Sequence, residues 1–155
     1  ERLSDGCLVI ETNLDDMNPQ DYEWVMDRLY QAGAREVYLT PTIMKKSRPG
    51  VLLTVLCEEG RTDILDVLFK ETTTLGVRMW RTNRAILPRE QVLIPTPYGK
   101  LRVKVSIHND EKKYSLEYQD LLEFARRSGR PLKDLRREIT EYAGKRVLGI
   151  KGKKR

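Results

Sequence analysis

The stretch CLVIETNLDDMNPQDYEWVMDRLYQAG, residues 7–33, decides the fold. Residues 7–14 alternate, with Leu8, Ile10, Thr12 and Leu14 on one side and Val9, Glu11 and Asn13 on the other, the period of two that a strand requires. Asn18-Pro19 then supplies an N-cap and a first-turn proline. Tyr22, Val25, Met26, Leu29 and Tyr30 recur at helical spacing until Gly33 stops the helix. Trp24 falls on the opposite, polar side, which fits equally a contact with another domain or subunit and a half-covered surface Trp.

Outward from this unit, strands are expected over 36–44 and 51–57, joined by the turn-forming Ser47-Arg48-Pro49-Gly50. A second amphipathic helix, about Thr62 to Glu71, carries Ile64, Leu65 and Leu68 on one face, and a strand begins near Gly76. The order βαββαβ is the ferredoxin-like arrangement. Beyond it, segments 91–94 and 101–107 flank Thr96-Pro97-Tyr98-Gly99 as a hairpin expected to extend that sheet. Two helices follow, one marked by Tyr118, Leu121, Leu122 and Ala125, the other by Leu132, Leu135, Ile139 and Tyr142, with Gly129 and Pro131 between them. The fold class is therefore α/β of the α+β kind. The expected divisions are a ferredoxin-like nucleotide- and metal-binding domain with an extra hairpin over 6–108, a C-terminal helical pair over 115–144 and a basic tail over 145–155.

A composition of 39% hydrophobic and 34% charged residues over 155 residues suits a globular domain with a sizeable core. No apolar run approaches the ~20 residues of a membrane span, and no signal-peptide pattern opens the chain. The start, Glu1-Arg2-Leu3, lacks a Met and leads straight into a strand, so a piece of a longer protein is expected. Cys7 and Cys57 each sit in an apolar run, as buried thiols of a reducing compartment do, which predicts a cytoplasmic protein with no membrane partner. Together with the single His108 they cannot build a tetrahedral zinc or nickel site, so a bound metal is expected to be a hard ion held by carboxylates and phosphates.

The net charge of +6 and pI near 9.4 invite a nucleic-acid reading. Residues 145–155, however, hold six basic residues and no acid, which leaves 23 basic against 23 acidic residues elsewhere. The body is neutral, and no nucleic-acid partner is expected. An RNA-binding sheet would need exposed aromatics for base stacking, and the alternating strands place none there.

In βαββαβ topology the first two strands end, and the fourth begins, at one edge of the sheet. Three loops must meet there. Asn13 to Asn18 offers Asp15 and Asp16, Lys45-Lys46-Ser47-Arg48 offers three cations, and Glu71 to Gly76 offers Thr73 and Thr74 and leads to Arg78. Adjacent carboxylates, cations and hydroxyls are the set that holds a magnesium- or manganese-bound polyphosphate. Taken singly, each has a plainer reading: helix capping for Asp15 and Asp16, a solvated turn for the cations, a helix end for the threonines. Arg102 and Lys104, on the polar face of the last strand, extend the cationic surface in this reading, and Glu11 is a weaker candidate on the Asn13 face. No Walker motif and no GxGxxG is present, and no Ser/His/Asp or Cys/His nucleophile set can be assembled. The catalytic residue set is therefore left unassigned.

Glu11-Thr12-Asn13-Leu14-Asp15-Asp16-Met17-Asn18-Pro19, Met44-Lys45-Lys46-Ser47-Arg48-Pro49-Gly50, Glu71-Thr72-Thr73-Thr74-Leu75-Gly76-Val77-Arg78 and Thr96-Pro97-Tyr98-Gly99 resemble, in order, the C-terminal half of the LarC family of nickel insertion proteins. The resemblance covers about Gly6 to Ala143, and the family's N-terminal half, with its histidine-rich stretch, has no counterpart here. It implies a CTP-dependent nickel chelatase, or cyclometallase, that inserts Ni2+ into a pyridinium bisthiocarboxylate mononucleotide to complete the nickel-pincer cofactor of lactate racemase. CTP would be split to CMP and pyrophosphate. It further implies that this half binds CTP with Mg2+ or Mn2+. Asp15 and Asp16 would then hold the ion, and Lys45, Lys46, Arg48 and Arg78 the triphosphate, in company with the missing N-terminal domain. A homo-oligomer is expected from Trp24 and the possible edge strands. The competing reading is a non-catalytic ferredoxin-like ligand-sensing or oligomerisation module.

Overall fold

The computed structural model describes residues 2–149, with side chains from Gly6 onward. It divides into two compact units, Leu3–Ala85 and the chain from Ile86 onward. The first unit contains β1 (Arg2–Leu14), α1 (Tyr22–Gln31), β2 (Glu36–Ile43), β3 (Pro49–Glu58), α2 (Thr62–Glu71) and β4, which runs to Ile86 from Arg78. Its sheet order is β2-β3-β1-β4, with β3 antiparallel to both β1 and β2, as the βαββαβ pattern requires. The alternation explains which face is covered. Ile10 and Leu14 of β1, Val37 of β2, and Leu53, Val55 and Cys57 of β3 meet Val25 and Leu29 of α1 and Ile64 and Leu68 of α2 in one buried cluster. Asn18 caps the short 3-10 turn Pro19–Asp21 that leads into α1, its Oδ1 accepting from Gln20 N at 3.1 Å.

The second unit contains β5 (Arg89–Thr96), β6 (Gly99–His108), β7 (Glu111–Leu116), α3 (Tyr118–Ser128) and α4 (Leu132–Gly149). The expected hairpin is present, but it does not extend the first sheet. It pairs with β7 in a separate sheet, β5-β6-β7, and Ile94, Leu101 and Val103 pack on Leu121, Phe124, Leu135 and Ile139 of the helices. The expected boundaries at 6–108 and 115–144 therefore cut through what is one core. The reason is β7, which the sequence reading passed over. Tyr114 and Leu116 turn inward while Lys113 and Ser115 stay exposed, and Asn109 and Asp110 form the left-handed turn before it, with φ 48° and 64°.

The basic tail also begins later than expected. α4 continues to Gly149 because Leu135, Ile139, Ala143 and Val147 form an i, i+4 stripe, all buried. A Cβ at Gly144 would lie 2.5 Å from the Tyr114 hydroxyl, so any larger residue where this helix meets β7 would have to displace the Tyr114 side chain. Lys112 Nζ donates to Val147 O at 3.1 Å. Residues 150–155 of the expected tail lie outside the described residues. Among the described residues no helix is long and apolar enough to cross a membrane.

β7 ends at Leu116, and beyond it the Asp120 carboxylate takes over as a partner for β6, accepting from Arg102 N at 2.8 Å. The Arg102 guanidinium clasps the same carboxylate at 2.6 Å. This pairing holds the Asp120 carboxyl below its ordinary value, against the opposing effect of its burial.

Val147→Ala is expected to cost about 2 kcal/mol in urea melts of the second unit, and ending the chain at Ala143 should cost more. A depressed folded-state pKa stabilises the fold above the unfolded value of about 3.9 and is lost as pH falls through the folded value. Asp120→Asn should therefore lower stability at neutral pH and flatten its decline below about pH 4, read in urea melts across pH.

Candidate functional site

β1 and β3 pair with Leu14 opposite Val51, which leaves the residues after Leu14 and before Gly50 side by side at the sheet edge. A Cβ on Gly50 would fall 2.8 Å from the Leu14 carbonyl oxygen and would also collide with the Met44 sulfur. Glycine thus lets the β2–β3 hairpin close against the end of β1. The hairpin turn itself, Lys45–Ser47, places Lys46 and Ser47 in left-handed backbone at φ 59° and 57°, fastened by Met44 N donating to Arg48 O at 2.8 Å. Lys45, Lys46 and Arg48 are all exposed.

The three loops meet through their side chains. Arg48 Nη1 lies 3.4 Å from Asp15 Oδ2, and Asp15 is only 16% exposed. Thr73 donates its hydroxyl to Asp16 Oδ1 at 2.6 Å. The threonine loop is fixed from below. Thr72 donates to Leu68 O at the end of α2, Thr74 Oγ1 lies 2.5 Å from Thr12 Oγ1, and Thr74 also donates to Gly76 O at 2.7 Å. Arg78 donates to Asn13 Oδ1 at 2.6 Å and lies 3.6 Å from Glu11 Oε2. Burial, with a smaller contribution from the charge of Asp16, raises the Tyr22 phenol above its ordinary value.

This arrangement decides against the capping reading of the two aspartates. Asn18 supplies the side-chain cap at the helix entrance, while Asp15 and Asp16 face the cationic and threonine loops. Contacts join Asp15 to Arg48, Asp16 to Thr73, and Arg78 to Asn13 and Glu11, while Lys45 and Lys46 lie in the hairpin turn next to Arg48. Lys45 and Lys46 have no ion-pair partner among the described residues, so two cations remain available. A hard divalent ion fits the oxygen donors Asp15 and Asp16. No cluster of three or more His, Cys, Asp or Glu able to hold a metal exists among the described residues, so phosphate or water oxygens would complete the coordination.

Arg102 and Lys104 belong to the second unit and are paired there with Asp120 and Glu117. Trp24 is 56% exposed, yet its Nε1 donates to Glu71 Oε2 at 2.9 Å and the Arg28 guanidinium stacks on its ring. Sequence reasoning overlooked three residues. Thr12 and Thr54 are buried polar residues on strands whose other buried residues are apolar, which was the available signal. Gly50 showed only as a turn residue.

The sequence model of the family described as "Nickel insertion protein" matches residues 1–136. The chain belongs to the nickel insertion protein family. It is 46% identical over 133 residues to the pyridinium-3,5-bisthiocarboxylic acid mononucleotide nickel insertion protein of Acetivibrio thermocellus, covering 85% of this chain and 33% of that protein. With the protein of the same description from Thermotoga petrophila it shares 41% over 150 residues, covering 93% of this chain and 38% of that protein. The chain thus spans little more than a third of the curated relatives' length. Among solved structures it resembles the C-terminal domain of a cyclometallase involved in the synthesis of the NPN cofactor of lactate racemase, in apo form. There the TM-score is 0.78 at 39% identity, over 84% of this chain and 92% of that one.

Gly50→Ala should separate the hairpin from β1. A loss of about 1–3 kcal/mol in urea melts of the first unit is expected, the usual cost of overpacking.

Proposed function

We propose that this chain is the CTP- and divalent-metal-binding domain of a nickel insertase that completes the nickel-pincer cofactor of lactate racemase, with CTP split to CMP and pyrophosphate. The observation that supports this most is the meeting of three chemically distinct loops at one edge: Asp15 against Arg48 and Asp16 against Thr73, with Lys45 and Lys46 exposed beside them. The names of the relatives supply the substrate, a pyridinium bisthiocarboxylate mononucleotide, and nickel enters as cargo rather than as a resident ion.

In this reading Asp15 and Asp16 hold Mg2+ or Mn2+ on the triphosphate, and the ion supplies neutralisation of phosphate charge. Lys45, Lys46 and Arg48 meet the phosphate oxygens directly, Arg48 exchanging its contact with Asp15 for a planar bidentate one. Thr73 holds the Asp16 carboxylate in a single orientation, and Thr74, tied to Thr12, keeps the loop from moving. Arg78 completes the nucleotide contacts from the start of β4. The domain's work is positioning and electrostatic stabilisation. We place it in the cytoplasm, next to the N-terminal domain of the whole protein. We further propose a homo-oligomer, supported by the exposed Met79 and Trp80 on β4, an edge strand of the first sheet.

Calorimetric titration with CTP, with and without Mn2+, tests the assignment. Asp16→Asn should weaken binding of the metal-bound nucleotide by roughly tenfold or more while leaving metal-free CTP no weaker, because it removes a charge that repels phosphate. The Lys46→Ala/Arg48→Ala double variant should weaken both forms. Unchanged CTP affinity in all of these variants would remove this edge as the site.

A further inference from the structure

Away from the edge, a groove of about 270 Å3 runs between α1 and α2. Pockets for drug-sized ligands start near roughly 300 Å3, so this one suits a smaller molecule. Its apolar lining is Ala32, just past the end of α1, and Val67 of α2. The order of residues along α2 gives the groove two unlike ends. Asp63 and Asp66 come first, and Lys70 and Glu71 fall in the last turn, where Arg28 of α1 approaches Glu71. Asp66 and Lys70 have no ion-pair partner among the described residues, although their i, i+4 spacing would let them take each other. Arg28 is underused as well. Its Nη1 donates to Gln31 Oε1 at 3.1 Å and its guanidinium lies over the Trp24 ring, 5.7 Å from the centroid. Its Nε, however, is shut off from solvent without a hydrogen-bond partner, the closest Glu71 oxygen standing 3.8 Å away. A buried donor left without an acceptor is uncommon in a folded protein.

We propose that this groove binds a small zwitterion whose carboxylate and ammonium are separated by a short apolar chain, the class of the ω-amino carboxylates. The ligand carboxylate meets Arg28 and Lys70, the ammonium meets Asp66 and Asp63, and the methylenes lie across Ala32 and Val67. Asp66 and Lys70 stand about one turn apart, roughly 6 Å along the helix. Several methylenes span that distance, and the adjacent charges of an α-amino acid do not. An anion alone has Glu71 and the aspartates against it, and a cation alone has Arg28 and Lys70. Only a molecule with both charges gains at both ends. The site stands apart from the nucleotide reading of the edge and does not depend on it. The plainer role of these side chains, a solvated helix surface, distinguishes none of these ligands.

Trp24 reports occupancy, because a carboxylate that draws on Arg28 changes the charge over its ring. The chain has two Trp residues, so Trp80→Phe leaves Trp24 as the single indole. Titration of that variant with 5-aminopentanoate should shift the Trp24 emission saturably. Calorimetry on the unsubstituted chain should give the same affinity, and it carries the test if Trp80→Phe fails to fold. Pentanoate, pentylamine and glycine should each bind roughly tenfold or more weakly, since each forfeits the charged contacts at one end. Asp66→Asn should cut the advantage over pentanoate, and Lys70→Met the advantage over pentylamine, to about threefold or less. Both side chains are exposed, so thermal melts of these variants should match the unsubstituted chain. Absence of saturable 5-aminopentanoate binding in calorimetry overturns the proposal. So does an affinity no better than that of pentanoate or pentylamine, or one left unchanged by either substitution.

Discussion

β3 starts so close to the end of β1 that the Leu14 carbonyl occupies the space a side chain at residue 50 would need. This contact fixes the spacing between the two strands at the one edge where chain segments from three parts of the first unit meet. The antiparallel register, with Leu14 opposite Val51, then puts Asp15 within reach of Arg48 across the turn. The loop after α2 is placed independently, by hydroxyl bonds from Thr72 to the helix end and between Thr74 and Thr12. Backbone packing on one side and buried hydroxyls on the other leave the charged groups little freedom in where they stand.

Part of the charge at this edge is paired internally. Asp15 is matched by Arg48 and Glu11 by Arg78, while Asp16 takes a neutral hydroxyl from Thr73. Exposed pairs of this kind contribute little to stability. Their value lies in exchange: a ligand that brings both a cation and phosphates replaces each internal partner with one of the same sign, so neither charge is left unpaired.

The first unit was legible because its strands alternate and its helix has a cap and a stop within one short stretch, signals that act locally. The convergence of Asp15, Lys46 and Thr73 followed from topology alone, a rule of chain direction that needs no side-chain detail. What escaped was non-local or thinly marked. β7 carries only Tyr114 and Leu116 as inward apolar residues among lysines, so its strand character comes from pairing with β6 rather than from its own pattern. The end of α4 was hidden by Lys145 and Arg146, which drew the eye from Val147 four residues beyond Ala143. The pairing of Glu11 with Thr54 and Arg78 joins three elements far apart in sequence, and no spacing rule reaches it.

Each sheet has its own helices and its own closed apolar cluster. Two apolar clusters, not one, hold the chain's elements in place. The segment carrying the aspartates and the long C-terminal helix are therefore supported by different sets of apolar residues, so a substitution in one cluster deletes no side chain from the other.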